Sequence, residues 1–170
     1  MADDALPLSL APVARSEPTT AYGASTFTAF YREWFAPMAR LAFLLVGDRH
    51  VAEEVAQDAF AQVLQRWGSL DEPAAYLRTS VVNRSRDVHR RKRLVGRLAL
   101  VARRDRVDDA PDPLWDALAR LPSGQRAALV LRFYEDLPVR EVAELLGVRE
   151  GTVKSLVHRG LARLREEIHP

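Results

Sequence analysis

The sequence contains no cysteine, and it has only four histidines and two methionines among 170 residues. The absence of cysteine excludes disulfide bonds, cysteine-ligated zinc and thiol catalysis within this chain, and it fits a reducing compartment. No apolar run approaches membrane-spanning length, and the N-terminus lacks a basic region followed by an apolar core. We therefore expect a cytoplasmic protein without membrane insertion.

Sequence motifs of enzymes are also missing. There is no phosphate-binding glycine loop, no Gly-x-Ser-x-Gly motif and no plausible pair of nucleophile and base. Glu53 and Glu54 are adjacent carboxylates, but neither histidine nor cysteine accompanies them in a ligand-like pattern. The sequence predicts a protein that is not an enzyme and that requires no cofactor and no metal.

Helical periodicity recurs along the chain, whereas no strand pattern of any length appears. The fold class is therefore all-α, with two small helical domains joined by a flexible linker. We expect the following division: 1–24, a flexible N-terminal tail; 25–93, the first helical domain; 94–111, the linker; and 112–170, the second helical domain.

The first domain is expected to begin with an apolar stripe starting near Ser25. Pro37 interrupts this stripe, which predicts either a kink or two helices meeting there. Gly47 ends the segment and Asp48 can cap the next helix. Pro73 can open a third helix that runs through Arg93.

Charge is distributed unevenly although the formal net charge is only +2. Acidic side chains dominate residues 48–72, and basic side chains dominate residues 78–106. A basic block of this kind suggests contact with a phosphate backbone. Trp67 and Tyr76 lie at the two ends of the intervening loop, where their rings could stack on unpaired bases or pin the loop to the core.

The second domain ends in a pattern typical of a helix-turn-helix. Pro138 suits a first helical position, Gly147 can close the helix in a left-handed conformation, and Val153 anchors the second helix. Donors that can reach bases and phosphates occupy the outward faces of that second helix. The alternative is an ordinary helical hairpin with a solvated basic face.

Taken together, these segments resemble a bacterial RNA polymerase sigma factor of the extracytoplasmic function (ECF) group of the sigma-70 family. FTAFYREWFAPMARLAFLLVGD looks like the start of sigma region 2, AEEVAQDAFAQVLQRW like its polymerase-binding helix, and AYLRTSVVNRSRDVHRRKR like its promoter-reading helix. LARLPSGQRAALVLRFYEDLPVREVAELLGVREGTVKSLVHRGLARLRE resembles sigma region 4. The join RWGSLDEPAAYLR is similar to that of the actinobacterial SigE-like subgroup.

The resemblance implies a role for each surface. The polymerase-binding residues, facing the clamp helices of the β′ subunit, would be Glu53, Glu54, Gln57, Asp58 and Gln62. The residues that recognise the −10 element and hold a flipped base would be Trp67, Tyr76, Asn83, Arg84, Asp87, Arg90 and Arg91. The residues in the major groove at the −35 element would be Arg149, Thr152, Lys154, Ser155, His158, Arg159 and Arg163.

The resemblance also implies partners: core RNA polymerase through its β′ clamp helices and β flap, and promoter DNA, duplex at −35 and single-stranded at −10. An anti-sigma protein packed between the two domains would be a further partner. The chain would be associated with the nucleoid when bound to polymerase. One departure from the family pattern is Leu156, where many members carry an arginine.

Two alternatives to a promoter-specificity subunit come from other functional classes. The first is an ordinary helix-turn-helix regulator whose N-terminal module senses or dimerises. A sensor module, however, does not need an acidic helix followed by a basic one with aromatic residues at its edge. The second alternative is an interaction protein that binds polymerase or RNA without promoter specificity. The basic helix alone does not distinguish such a protein from a promoter-specificity subunit.

Overall fold

The computed structural model describes the backbone of residues 24–96 and 113–168. This part of the chain forms α-helices and contains no strand, which confirms the all-α class. The helices are α1 Ala24–Val46, α2 Arg49–Gln65, α3 Pro73–Gly96, α4 Pro113–Arg120, α5 Ser123–Leu129, α6 Val139–Leu146 and α7 Glu150–Ile168. Most of the predicted tail and linker lies outside the described residues.

Two shorter turns complete the described chain. A 3-10 turn at Trp67–Ser69 precedes α3, and a π-helical turn at Val130–Tyr134 continues α5. None of the helices in the described part combines the length and the apolar character needed to cross a membrane. We call α1 to α3 the first module and α4 to α7 the second module.

Helix α1 continues through Pro37, so the prediction that two helices meet there is wrong. Proline donates no backbone hydrogen bond, but Trp34, Met38 and Leu41 lie buried around it. Burial of this apolar face keeps the helix continuous, because tertiary packing supplies most of the stability of helices in proteins.

The junction between α1 and α2 follows the predicted caps. Gly47 has a φ of 80°, and its N–H donates to the Phe43 carbonyl at 2.9 Å. The Asp48 carboxylate accepts a 2.9 Å hydrogen bond from the Val51 N–H, which satisfies one of the unpaired donors at the start of α2. The predicted end at Gly47 and cap at Asp48 are confirmed.

An aromatic cluster holds the 3-10 turn against α1 and α2. The Trp67 ring lies 5.0 Å from the centroids of both Phe27 and Phe30, and it meets Phe27 edge to face. Phe60 of α2 lies 5.9 Å from Phe30 and 4.8 Å from Tyr31. Such contacts fix the loop that precedes α3, because aromatic pairs at these separations add to the energy of burial.

The second module contains the predicted helix-turn-helix in α6 and α7. Gly147 adopts a φ of 61°, and the Val148 N–H donates to the Ala143 carbonyl at 3.0 Å. Val153 is fully buried and anchors the second helix. Pro138 precedes α6 as its N-cap, one residue earlier than predicted, because its ψ of 153° is extended.

The two modules share one buried apolar core. The largest cluster contains residues of α1 to α3 together with Leu131, Leu137, Val142 and Leu146 of the second module. Helix α3 contacts α6, and α1 contacts α5 and the π-helical turn. A smaller cluster around Leu129 holds α4, α5 and α7 together. The sequence predicts two domains, and the structure adds that they pack on each other.

Candidate nucleic-acid interface

The acidic side chains of α2 lie on one stripe of that helix, opposite its buried face. Glu54, Gln57 and Asp58 are exposed, and Glu53 and Gln62 are partly exposed. They recur at three- and four-residue steps, which places them along one side of an α-helix. Glu53 approaches Arg49 at 3.4 Å, a weak exposed pair that leaves most of the stripe open to a partner.

Asp58 connects this stripe to the basic helix α3. Its carboxylate accepts a hydrogen bond from Arg84 Nη1 at 2.5 Å. The Asp58 side chain is 63% exposed and that of Arg84 is 31% exposed. The sequence predicts opposite partners for these two residues, polymerase for Asp58 and DNA for Arg84, and the structure brings them into contact.

Four other residues that are predicted to contact the −10 element are exposed. Asn83, Asp87, Arg90 and Arg91 are exposed on α3, where Asp87 and Arg90 form an exposed pair at 3.2 Å. These side chains form an accessible polar surface with excess positive charge, which suits nucleic acid.

Of the two aromatic residues at the loop, only Tyr76 is accessible. Its ring is partly exposed, and the Arg66 guanidinium lies 5.6 Å from the ring centroid. Trp67 is 8% exposed within the aromatic cluster. Its ring therefore packs the loop against the core, which is the second of the two roles that the sequence leaves open for it.

The predicted −35 residues lie on the outward face of α7 and the turn before it. Their side chains are all exposed: Arg149, Thr152, Lys154, Ser155, His158, Arg159 and Arg163. Arg159 Nε donates to the Ser155 carbonyl at 3.2 Å, so its guanidinium lies along the helix. The face carries four cationic side chains, whereas the opposite face of α7 packs on α5 and α6.

Leu156 does not belong to this outward face. It is partly buried against the core, within van der Waals distance of a methyl group built at Gly124 in α5. A leucine here therefore stabilises the contact between α7 and α5.

Two basic residues of α3 turn toward the second module, which sequence reasoning missed. Arg78 Nε donates to Glu135 Oε2 at 2.7 Å, and Arg86 Nη1 donates to the Leu145 carbonyl at 3.3 Å. The helical pattern predicts both arginines on the exposed side of α3. The sequence did not indicate that Glu135 pairs with Arg78, because a lone carboxylate after a helix is usually solvated.

Buried polar groups of the second module lie at the same junction. Arg126 of α5 is 6% exposed, and burial lowers the pKa of its guanidinium. Its Nη2 lies 3.3 Å from His89 Nε2, while that nitrogen lies 2.8 Å from the Leu45 carbonyl oxygen. We assign the shorter contact as the hydrogen bond, with His89 donating, because one ring nitrogen cannot donate to Leu45 and accept from Arg126.

Tyr134 lies at the end of the π-helical turn. Burial raises the pKa of its hydroxyl, and the positive charge of nearby Arg40 in α1 opposes that rise. Within the described residues, no group of three or more histidine, aspartate or glutamate side chains is arranged to hold a metal ion.

Comparison with protein families identifies both modules. The Sigma-70 region 2 family matches residues 30–95, and the Sigma-70, region 4 family matches residues 112–164. The chain is 36% identical to the RNA polymerase sigma-E factor of Streptomyces coelicolor over 76% of this chain and 78% of that protein. It is 32% identical to the ECF RNA polymerase sigma factor SigL of Mycobacterium tuberculosis over 90% and 94% of the two chains.

Solved structures share the fold. The sigma factor RpoE of Bartonella quintana, in complex with the anti-sigma factor NepR, matches with a TM-score of 0.66 and 22% identity. The match covers 85% of this chain and 98% of that chain. CnrH, in complex with the cytosolic domain of CnrY, matches with a TM-score of 0.60 and 21% identity over 86% and 89% of the two chains.

Proposed function

Because the chain belongs to the ECF group of sigma-70 RNA polymerase sigma factors, it directs promoter-specific initiation of transcription, and we propose how its surfaces divide that work. Sigma factors act as initiation factors rather than as enzymes. The observation that supports this division is the presence, on one chain, of an exposed acidic stripe on α2 and an exposed basic face on α7. An ordinary helix-turn-helix regulator is not favoured, because region 2 precedes region 4.

The acidic stripe of α2 is proposed to dock on the β′ clamp helices of core polymerase. Glu54, Gln57 and Asp58 are exposed and would supply most of the contact, and Glu53 and Gln62 would extend it. Acidic side chains at such a surface give specificity and speed association with a basic partner. The second module is proposed to bind the β flap, which would hold it at the upstream end of the promoter.

The loop before α3 and the exposed face of α3 are proposed to engage the opened −10 element. Tyr76 offers a partly exposed ring for stacking, and Asn83 offers an amide that can read a base edge. Arg84, Asp87, Arg90 and Arg91 would then contact the backbone or orient their neighbours. Trp67 would support this surface from below. Extruding a base costs a few kcal/mol, which stacking and a fitted pocket must offset.

Helix α7 is proposed to enter the major groove of duplex DNA at the −35 element. Its N-terminal half presents Thr152, Lys154 and Ser155, and the next turn presents His158 and Arg159. Arg149 and Arg163 lie at either end of this face and suit phosphate contacts. This arrangement matches helix-turn-helix proteins, in which the first residues of the second helix contact base edges.

An anti-sigma protein is proposed as a regulatory partner. The RpoE structure that shares this fold was solved with an anti-sigma factor bound. We infer that such a protein would pack between the two modules and would keep the polymerase-binding and DNA-binding surfaces apart from their targets. Action on chromosomal promoters also implies a cytoplasmic protein that is associated with the nucleoid when bound to polymerase.

Reconstituted transcription tests the proposed function. The purified chain and bacterial core RNA polymerase are incubated with a library of genomic promoters, and initiation is mapped on each template. We expect promoter-specific transcripts that depend on the chain. Stable binding to core without initiation from any promoter would instead favour an interaction protein, and binding to duplex DNA alone would favour an ordinary regulator.

A charge reversal identifies the polymerase-binding surface. Glu54→Lys should abolish association with core polymerase and leave the circular dichroism spectrum unchanged, because the exposed charge contributes little to stability. Glu166→Lys is the matched control, since it reverses an exposed carboxylate near the end of α7, away from the acidic stripe. Equal retention of core by both variants would move the docking surface off α2.

A further inference from the structure

The arginine that follows α2 lies beside the aromatic residue in the first turn of α3. The Arg66 guanidinium carbon is 5.6 Å from the centroid of the Tyr76 ring. Arg66 is exposed, and within the part of the chain that the structure describes its guanidinium forms no ion pair with a carboxylate. The sequence predicts no contact for this residue. Its positive charge and its planar group are both accessible to a ligand.

The backbone of Arg66 is held by the turn that follows it. The Arg66 N–H donates to the Val63 carbonyl at 3.0 Å. The Arg66 carbonyl accepts from the N–H of Ser69 at 2.8 Å and from the Ser69 hydroxyl at 2.9 Å. The next residue, Trp67, is buried in the aromatic cluster. The side chain of Arg66 is therefore exposed on a backbone that is fixed beside α3.

Tyr76 supplies the fixed side of the pair. Its ring is partly buried and packs against the main core, and its N–H donates to the Glu72 carbonyl at 3.1 Å. Asn83 follows seven positions later on the same side of α3, which is about 10 Å along the helix. An unpaired strand that runs along this side of α3 would meet both the Tyr76 ring and the Asn83 amide.

The separation of the two groups suits one base between them. Stacked carbon atoms lie about 3.5 Å apart, so a base between a ring and a guanidinium needs about 7 Å. The present 5.6 Å must increase by about 1.4 Å, which an exposed arginine side chain can provide by changing rotamers. Aromatic rings and guanidinium planes both stack on unpaired bases. Without a base, the attraction between the cation and the ring closes the gap.

We propose that Arg66 and Tyr76 form a two-sided stacking site that holds one unpaired base of the opened −10 strand. The inference rests on the proposed function and adds to it a residue and a type of contact. Because every base has a π-face, the site accepts a base of any identity. It therefore holds the strand open at one position, while the sequence is read by groups that reach base edges, such as the Asn83 amide.

A phosphate contact is the other chemistry that an accessible guanidinium can supply. A phosphate is bound through charge and hydrogen bonds, which lysine also provides, whereas stacking requires the planar guanidinium. Arg66→Lys therefore distinguishes the two contacts. It should lose the base contact, and it would keep most of a phosphate contact.

Fork-junction DNA bound by the holoenzyme tests the site. The probe is a promoter found by reconstituted transcription, with duplex DNA upstream and one strand of the −10 element unpaired. Each unpaired position is made abasic in turn. At one of these positions the abasic change should weaken wild-type binding by about tenfold, whereas exchange among the four bases there should change the affinity by less than about threefold.

The variants identify that position as the one that Arg66 contacts. Arg66→Ala should weaken binding to the intact probe by about tenfold. It should lose nothing further when the position is abasic, because the two changes remove the same contact. Arg66→Lys should behave like Arg66→Ala. Retention of core polymerase by both variants should match wild type.

Arg132→Ala is the matched control. The Arg132 guanidinium carbon lies at the same distance of 5.6 Å from the centroid of an aromatic ring, that of Phe133 in the π-helical turn. The control variant thus loses an arginine–aromatic contact of equal separation on the second module. Its binding to the fork junction should stay within about twofold of wild type.

Three results would overturn the stacking site. These are normal fork-junction binding by Arg66→Ala, losses that add at every abasic position, and full rescue by Arg66→Lys, which would make the contact one to phosphate. A loss of core retention that accounts for the whole effect would place Arg66 on the polymerase surface instead. Failure of wild type to initiate from any promoter would overturn the proposed function and the site with it, whereas initiation by wild type alongside any of the earlier results overturns the site alone.

Discussion

Arg84 of α3 donates a hydrogen bond to Asp58 of α2, so a residue proposed for the −10 element is ion-paired with one proposed for polymerase. The pair lies at the border between the two surfaces.

Exchange of these two charges separates structure from binding. In the variant Asp58→Arg with Arg84→Asp, the free energy of unfolding should differ from wild type by less than about 1 kcal/mol, because Asp58 is mostly exposed, Arg84 is partly exposed, and the pair is re-formed in reverse. Core binding should still be lost, since the acidic stripe now carries a positive charge. Denaturant unfolding and a pull-down with core measure the two effects. Normal core binding by the exchanged variant would show that Asp58 does not face polymerase.

Lys154 and Arg159, together with the other cationic side chains of the α7 face, should contribute to the salt dependence of binding at the −35 element. The affinity for B-form DNA falls with salt by a slope of about −0.9 for each neutralised phosphate. Replacement of both residues by alanine should weaken binding to a promoter duplex and make that slope shallower by about two. Fluorescence anisotropy at several salt concentrations measures the affinity and therefore this slope. Arg165→Ala, in the last turn of α7, should leave the slope near that of wild type.

Gly160 allows α7 to approach α5 closely. A methyl group added there would lie 2.9 Å from Leu129 Cδ1 and 3.1 Å from Cγ, and both residues are buried. Gly160→Ala should lower the free energy of unfolding by about 1 kcal/mol, because overpacking outweighs the gain in helix propensity. Thermal unfolding measures the change.

Two further variants isolate the overpacking at Gly160. The cost of Gly160→Ala should shrink in a Leu129→Ala background, where the methyl group has space. Gly151→Ala is the control, since nothing lies within 4 Å of its added methyl group and a small increase in stability is expected there. An unchanged cost in the Leu129→Ala background would rule out overpacking as the cause.

Tyr134 should make the protein less stable at high pH. Burial raises the pKa of its hydroxyl in the folded state, so above about pH 10 the unfolded chain loses this proton first. Stability from this group is complete below the unfolded pKa and is lost as the pH rises toward the folded pKa. The measurement is the free energy of unfolding between neutral pH and strongly alkaline pH. Tyr134→Phe should show a shallower decline, and parallel curves would contradict the prediction.

Local chemistry predicted the ends of the elements well. Asp48 caps α2 and Gly147 closes α6 as expected, because a cap depends on one side chain or one backbone angle and its nearest neighbours. Pro37 was harder to interpret. Its effect on α1 depends on how much surface the helix buries on either side, and that burial is set by other helices.

The candidate surfaces were only partly predictable. Exposure of the α7 face follows from helical periodicity, since Val153 and its apolar neighbours determine which side is buried. The role of Trp67 did not follow from helical periodicity. Whether its ring faces DNA or the core depends on Phe27 and Phe30, which lie about 40 residues earlier in the chain.

The sequence by itself determined the helical class, the caps, the acidic and basic segments and the resemblance to sigma regions 2 and 4, because each depends on residues close together in the chain. The tertiary structure decided that the modules share a core and that Arg78 pairs with Glu135. These two residues are separated by 57 positions. Helical periodicity identifies which side of a helix is apolar, but the partner of a charged residue depends on how distant helices pack.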